Sequence, residues 1–372
     1  MSLKDKSAVL LNKRVILIRM GGEIGIKSRQ TRRRMVRNLQ NDIKRHLEDY
    51  PSLKVVEFRD RLIIYFDSIE SNKNLNELIQ LITTSVSGIS SASSALVTES
   101  TEKKIVCESL AEFKKIIQPN SSFAVRVRRE GNHPFSSMEI AQKTGSAILN
   151  SQIKDLKVDL DTPNFQLFLD IRGALTFIYT QVHRGIDGIP SLSQGIALAM
   201  VKPNYNSLLA SWLMKKRGVK IIPIFFKTGK PNEKEYLEYI KAKFDEDITI
   251  ITLTDRLYEF KDNSSLCMLC QLYCEKCSEN TSNDLAISTL ISPTCFNYHN
   301  ETMSLKALKI LEENISKPVL RPIQLGFYGD FLKDENFDLN PCCEYRSQIS
   351  IHLSADFNEN SVKKFLSFKA RD

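Results

Sequence analysis

Residues 14–47 read RVILIRMGGEIGIKSRQTRRRMVRNLQNDIKRHL, and their pattern decides how the first part of the chain folds. Arg14–Met20 is a short apolar run of strand length, and Gly21-Gly22-Glu23-Ile24-Gly25 is the turn leaving it. Ser28 can cap a helix in which Met35, Leu39, Ile43 and Leu47 recur every four residues as one apolar stripe. Arg29, Arg32, Arg33, Arg34 and Arg37 crowd its first turns beside Lys27. Cations there oppose the positive end of the helix dipole, so an arriving anion relieves the repulsion. A solvated basic face is the plainer account. Five arginines in nine residues beside a glycine turn favour phosphate binding instead. Val55–Phe58 and Leu62–Phe66 follow as two strands, completing a strand–helix–strand–strand unit over residues 1–70.

The charge agrees with this. The first 50 residues hold thirteen Lys and Arg against five Asp and Glu, and the remaining 39 of each sign cancel. The whole net charge of +8 therefore sits at one end, which points to a polyanion-binding module. With 42% hydrophobic and 26% charged residues the chain is globular, and 372 residues suggest two or three domains. Charge breaks every apolar run before the ~18 residues a membrane span needs, and residues 1–6 lack a secretory pattern. The expectation is a soluble, cytoplasmic protein whose eight cysteines are thiols or metal ligands rather than disulfides.

A second module begins near residue 74, where the composition turns neutral and serine-rich. Leu75–Ser85 reads as a helix, Ala92–Val97 as a strand, and Glu102–Gln118 has helical spacing. Ser122–Arg128 is an alternating strand, and Ser136 or Ser137 caps a helix over Met138–Ser151. Leu167–Arg172 and Thr176–Val182 close the module around Gly173-Ala174. Arg126 and Arg128 share a face by the two-residue period, beside His133, while Arg129 lies at the strand's exit. An edge-strand salt bridge is the plainer account of each alone.

The stretch RVRREGNHPFSSMEIAQKTGSAI (residues 126–148) resembles the THUMP domain. RMGGEIGIKSRQTRRRMVRNL (residues 19–39) resembles the ferredoxin-like module preceding it in the tRNA 4-thiouridine synthetases. The resemblance covers almost the whole chain and is to the archaeal type. It implies that the two modules hold tRNA, through Lys27, the arginines at 29, 32, 33, 34 and 37, Arg126, Arg128, Arg129 and His133. It also implies a downstream PP-loop domain for ATP-dependent sulfur insertion. The expected boundaries are 1–73, 74–184 and 185–372, with His183–Pro190 as a linker.

The third module alternates strands and helices: Ile196–Val201, helix Ser207–Lys216, Val219–Phe226, helix Glu233–Phe244, Ile248–Leu253. That order predicts a doubly wound parallel sheet with its ligand crevice at a strand-to-helix turn. In the resembled family that turn is Ser-Gly-Gly-x-Asp-Ser-Pro. Here the positions hold Lys202, Pro203, Asn204, Tyr205, Asn206, Ser207 and Leu208. Both glycines are gone, Pro203 removes a donor N–H, and Asn206 lacks the charge that attracts Mg²⁺. Lys202 can still touch a phosphate and Ser207 survives, but ATP and Mg²⁺ binding should be weak or absent. Ala286–Pro293 likewise lacks the family's glycine-bearing nucleotide turn, while 301–322 resembles its late helix and VLRPL-like strand.

Cys267, Cys270, Cys274 and Cys277 are spaced C-x2-C-x3-C-x2-C. On a helix their ends would lie ~15 Å apart, too far to share one ion. Either the segment is not helical, or one pair recruits thiolates from Cys295 or Cys342-Cys343. The resemblance matches Cys267, Cys270 and one of Cys342 and Cys343 to cysteines associated with an iron–sulfur cluster or persulfide transfer. By the family's spacing Cys343 is favoured as third ligand or catalytic sulfur carrier, with Cys274, Cys277 and Cys342 as alternative ligands. Iron–sulfur, zinc and inert thiols stay open.

Three readings follow. One is a tRNA-binding family member with a degenerate ATP site, acting with a sulfur-donor or PP-loop partner protein and open to homodimer formation. The second is an active sulfurtransferase with an altered loop, and the third a non-enzymatic RNA-binding module.

Overall fold

The computed structural model describes residues 3–66, 75–229, 233–244, 248–253, 266–293 and 305–322. Its chain divides into two compact units, Met1–Pro190 and Ser191–Asp372.

In the first unit, strand β1 (Arg14–Met20) is buried on both faces, which is why its sequence reads as an unbroken apolar run. Ile16 and Ile18 pack on one side against Leu39 and Ile43, from helix Arg29–His46, and Ile79 and Ile82, from helix Leu75–Ser85. Val15 and Leu17 pack on the other, with Leu10 from helix Leu3–Leu10, an element the sequence reading does not anticipate. The remaining strands are β2 (Leu53–Phe58), β3 (Arg61–Phe66), β4 (Ile89–Glu99), β5 (Ser122–Glu130), β6 (Lys157–Val158), β7 (Phe165–Arg172), β8 (Leu175–Tyr179) and β9 (His183–Arg184). They form one sheet in the order β2-β3-β1-β4-β8-β7-β5-β6, with β9 pairing β4. β4 carries the sheet across: it pairs β1 along Ile89–Leu96 and β8 along Leu96–Glu99. The two modules seen in the sequence thus share a continuous hydrogen-bonded floor.

A charged cluster binds them side chain to side chain. Asp170 on β7, fully buried, accepts from Arg61 Nε at 3.0 Å and from Arg172 Nε at 2.6 Å. Arg172 Nη1 also reaches Asp60 at 3.0 Å and Glu130 at 2.7 Å, and Arg59 meets Glu130 at 3.2 Å. Hydrogen bonding from Arg172 holds Glu130 below the usual carboxylate range.

His183–Pro190, expected as a linker, instead docks on this unit. Gly185 N donates to Ser90 O and Asp187 N to Ile89 O, and Ile189 enters the core. Gly21 makes room for it: a Cβ there would lie 2.7 Å from Asp187 Oδ1 and from Gly188 O.

The second unit holds β10 (Ile196–Val201), β11 (Lys220–Lys227), β12 (Thr249–Thr252), β13 (Leu290–Ile291) and β14 (Val319–Leu320), all parallel, in the order β12-β11-β10-β13-β14. Helices cover both faces. Leu208 and Leu209, of helix Tyr205–Lys216, and Tyr236 and Ile240, of helix Glu233–Lys243, pack with Ala197, Ala199 and Val201. Cys270 and Cys274 pack on the opposite face with Leu198, Met200 and Ile224. This is the doubly wound arrangement, with its switch point between β10 and β13. Cys267, Cys270, Cys274 and Cys277 all belong to one helix, Leu266–Asp284, so the non-helical alternative is excluded.

Replacing Asp170 by Ala leaves Arg61 and Arg172 buried without their shared acceptor and should cost about 3–5 kcal/mol. Denaturant unfolding of the full chain, followed by far-ultraviolet circular dichroism, measures it.

Candidate functional site

Two arrangements stand out, a basic face on the first unit and the switch-point crevice of the second.

The basic face begins at helix Arg29–His46. Ser28 caps it, its Oγ accepting from Thr31 N at 3.4 Å, while Met35, Val36, Leu39 and Ile43 turn inward. That orientation puts Arg29, Arg33, Arg34 and Arg37 in solvent, with Arg32 half-buried and Lys27 exposed just ahead of the cap. None of these six has an ion-pair partner among the described residues. Their charge is unspent.

The arginines of β5 divide. Arg126 and Arg128 line one cavity on the sheet face, of about 920 Å³, together with Arg19, Arg61, Arg184 and Tyr179. Arg126 Nη2 donates to Leu160 O, and Arg128 is exposed. Arg129, one residue on, does not line that cavity; its Nη1 reaches Gly131 O at 3.5 Å. His133 lies in a separate cleft with Asn132, Arg59 and Gly173, its Nε2 3.2 Å from Glu130 O and its ring stacked on Phe135 at 5.4 Å. The structure thus brings Arg126 and Arg128 together and keeps His133 apart.

Sequence reasoning missed Arg19, Arg184 and Tyr179. Arg19 interrupts the apolar run of β1, and that interruption was the available signal. It is 9% exposed, its Nη1 donates to Ser91 and Ser93 Oγ at 3.2 Å, and its guanidinium stacks 4.4 Å from the Tyr179 ring centre. Burial pulls its pKa below the usual arginine value and pushes the Tyr179 phenol up.

In the second unit, Lys202 follows β10 and Ser292 follows β13, so the two flank the crevice. Lys202 is 4% exposed, and its Nζ lies 3.2 Å from Gln271 Oε1 and 3.6 Å from Cys270 Sγ. Gln271 Nε2 in turn donates to Ser292 Oγ and to Glu275 Oε1, each at 3.0 Å. Arg321 Nη2 meets both Glu275 oxygens at 3.1 and 3.2 Å. A chain of hydrogen bonds therefore crosses the crevice from one strand end to the other. At the helix start, Asn204 Oδ1 accepts from Ser207 N at 2.9 Å and Ser207 Oγ accepts from Lys202 N at 3.0 Å. Two backbone donors at this helix N-terminus, Lys202 N and Ser207 N, are thus met from within. Asn206 has its own partners and is half-buried.

Burial holds the Cys274 thiol well above its ordinary pKa, with Cys270 beside it. With the Lys202 ammonium against Cys270, this pair alone does not fit a metal ion, which needs thiolates and repels a neighbouring cation. No group of three metal-ligating side chains occurs among the described residues. The side chain of Cys267, and Cys295, Cys342 and Cys343 altogether, lie outside the described residues.

Comparison with known proteins bears on both units. Residues 15–93 match the ThiI ferredoxin-like domain and residues 100–181 the THUMP domain. A probable tRNA sulfurtransferase of Methanosarcina mazei is 41% identical over 148 residues, 39% of this chain and 36% of that protein. The match to it therefore spans about a third of its length. Probable tRNA sulfurtransferases of Methanocaldococcus jannaschii (25% identical, 84% of each chain) and Saccharolobus solfataricus (27%, 86% and 85%) match across both units. The chain carries a ThiI ferredoxin-like domain and a THUMP domain, and it is similar to tRNA sulfurtransferases across both units. Two solved structures share its fold. A Pyrococcus horikoshii protein superposes with TM-score 0.66 at 24% identity, covering 86% of this chain and 97% of its own. A 4-thiouridine synthetase solved as an RNA complex with bound ATP gives 0.67 at 21%, covering 85% and 82%.

The thiols of this chain should differ in reactivity. Cys107 is exposed, whereas Cys274 is fully buried and held protonated. Brief iodoacetamide treatment of the native protein at neutral pH, read by mass spectrometry, should alkylate Cys107 and leave Cys274 untouched until denaturant is added. Asn204→Ala should remove the helix cap and lower the stability of the second unit by about 1 kcal/mol, with Asn204→Ser recovering most of it.

Proposed function

We propose that this chain is a tRNA-binding member of the family that holds tRNA for uridine thiolation through its basic helix and THUMP module, and whose own crevice no longer takes up ATP. It works in the cytoplasm, where tRNA is modified, with a partner protein that supplies the activated sulfur or the nucleotide chemistry. The observation that carries this reading is the hydrogen-bond chain Lys202–Gln271–Ser292, set against an unspent arginine face on the first unit. A nucleotide entering the crevice would have to break buried hydrogen bonds, and leaving their groups unmet costs roughly 1–3 kcal/mol each. The absence of both loop glycines and of an acid at Asn206 acts in the same direction. On this reading Cys343 is the favoured sulfur carrier or third cluster ligand beside Cys267 and Cys270, and an iron–sulfur or zinc site would draw on cysteines beyond the Cys270–Cys274 pair.

The test is a melting experiment on the full chain with Mg-ATP and, separately, with tRNA. A ligand at 100 times its dissociation constant adds about 2.7 kcal/mol of stability, an easily seen shift. Transfer RNA should raise the melting temperature and millimolar Mg-ATP should not. A clear rise with Mg-ATP would favour an active sulfurtransferase with an altered loop.

A further inference from the structure

The contact between Lys202 and Cys270 is not used by the function proposed above. Nζ lies 3.6 Å from Sγ, although 68 positions separate the two residues in the chain. Both are enclosed: Lys202 is 4% and Cys270 5% exposed, and Cys270 packs with Leu198, Met200 and Ile224. The sulfenic acid that a hydroperoxide makes of a thiol condenses with a nucleophile lying against it. Lys202 stands at the crevice, which gives a water-sized peroxide a polar approach to Cys270 that the fully buried Cys274 lacks. Two other thiols of the helix Leu266–Asp284 compete poorly for the oxidised sulfur. Cys274 is one turn on, where Cβ atoms stand about 5–6 Å apart, against the roughly 3.5–4.5 Å that a disulfide needs. Cys277 is seven residues on, about 10 Å along the axis. Among the described residues, the Lys202 amine is the nucleophile already in reach.

We propose that Lys202 and Cys270 are a paired modification site, joined by a sulfur–nitrogen bond when hydrogen peroxide oxidises the thiol. In the first step the sulfur attacks the peroxide. An S–O bond forms, the O–O bond breaks, and the leaving oxygen departs as water with the thiol proton. The Lys202 ammonium gives one proton to solvent, and its nitrogen then attacks the sulfenic sulfur. The S–N bond forms, the S–O bond breaks, and hydroxide leaves as water with an amine proton. The sulfur is oxidised by two electrons, and the peroxide is reduced to two waters. A dithiol reverses the change: its first thiol displaces the amine from sulfur, and its second closes the dithiol's own disulfide and frees Cys270. The bond removes the ammonium at one end of the Lys202–Gln271–Ser292 chain, so oxidation acts directly on the crevice. None of this rests on tRNA binding.

The test uses the full-length protein, purified without oxygen, as wild type, Lys202→Met and Cys274→Ser. Each is treated with hydrogen peroxide, alkylated in denaturant, digested and mapped by mass spectrometry. The peptides carrying Lys202 and Cys270 should be joined with the loss of two hydrogens, and dithiothreitol should part them. The link should form in wild type and in Cys274→Ser alike. Lys202→Met should form none, and its Cys270 should instead take dimedone as a sulfenic acid. Because the bond closes a loop across 68 positions, peroxide should also raise the melting temperature of wild type, and dithiothreitol should cancel the rise. Should Lys202→Met fail to fold, the Cys274→Ser map decides: the link present supports the site and the link absent overturns it. A Cys270–Cys274 disulfide or a dimedone adduct on wild-type Cys270, without the Lys202 link, overturns it. Iron or zinc in the isolated wild type that Cys270→Ser loses overturns it as well.

Discussion

Asp170 is the point on which the first unit turns. One fully buried carboxylate takes two arginines, Arg61 from the ferredoxin-like module and Arg172 from the THUMP module, while β4 joins the same two modules through the backbone. Either link alone would leave a hinge. Together they fix β1 and β5 in a single sheet, so that Arg19 and Arg128 line the same cavity although 109 residues separate them. The docked segment His183–Pro190 adds a third tie through Ile189 and the space that Gly21 leaves. Rigidity matters for a phosphate-binding surface, because contacts placed before RNA arrives cost less ordering when it does.

The second unit shows the opposite economy of polar groups. Its switch point is where doubly wound folds take their ligands. There the Lys202 ammonium, the Gln271 amide, the Ser292 hydroxyl and the Glu275 carboxylate satisfy one another. The first unit carries spare donors at its surface and in the wall of its cavity; the second has its crevice groups paired. That contrast is the physical basis for the proposal that the one contacts RNA and the other serves as scaffold or partner surface.

Much of the fold was legible. The stripe Met35, Leu39, Ile43, the alternation of Ser122–Arg128 and the strand–helix order after residue 195 each obey a period that burial imposes, and each became the element expected. Helix Leu3–Leu10 was not legible, because it buries little beyond Leu10 and so lacks a stripe. The His183–Pro190 segment reads as linker because its glycines and proline break regular structure, yet those residues also permit close packing. The arginine helix was readable as a site since five like charges on one short segment need explaining locally. Arg19, Tyr179 and Gln271 were not, since their roles arise from neighbours 72 or more residues away for Arg19 and from two other strand ends for Gln271.

The central claim is that tRNA is held electrostatically by the helix Arg29–His46, and the salt dependence of binding tests it most directly. Each phosphate neutralised contributes roughly 0.7–0.9 to the slope of log affinity against log salt. The account predicts that Arg32→Ala/Arg33→Ala/Arg34→Ala binds tRNA more weakly and with a slope shallower by about two. The same affinity and the same slope as wild type would contradict it.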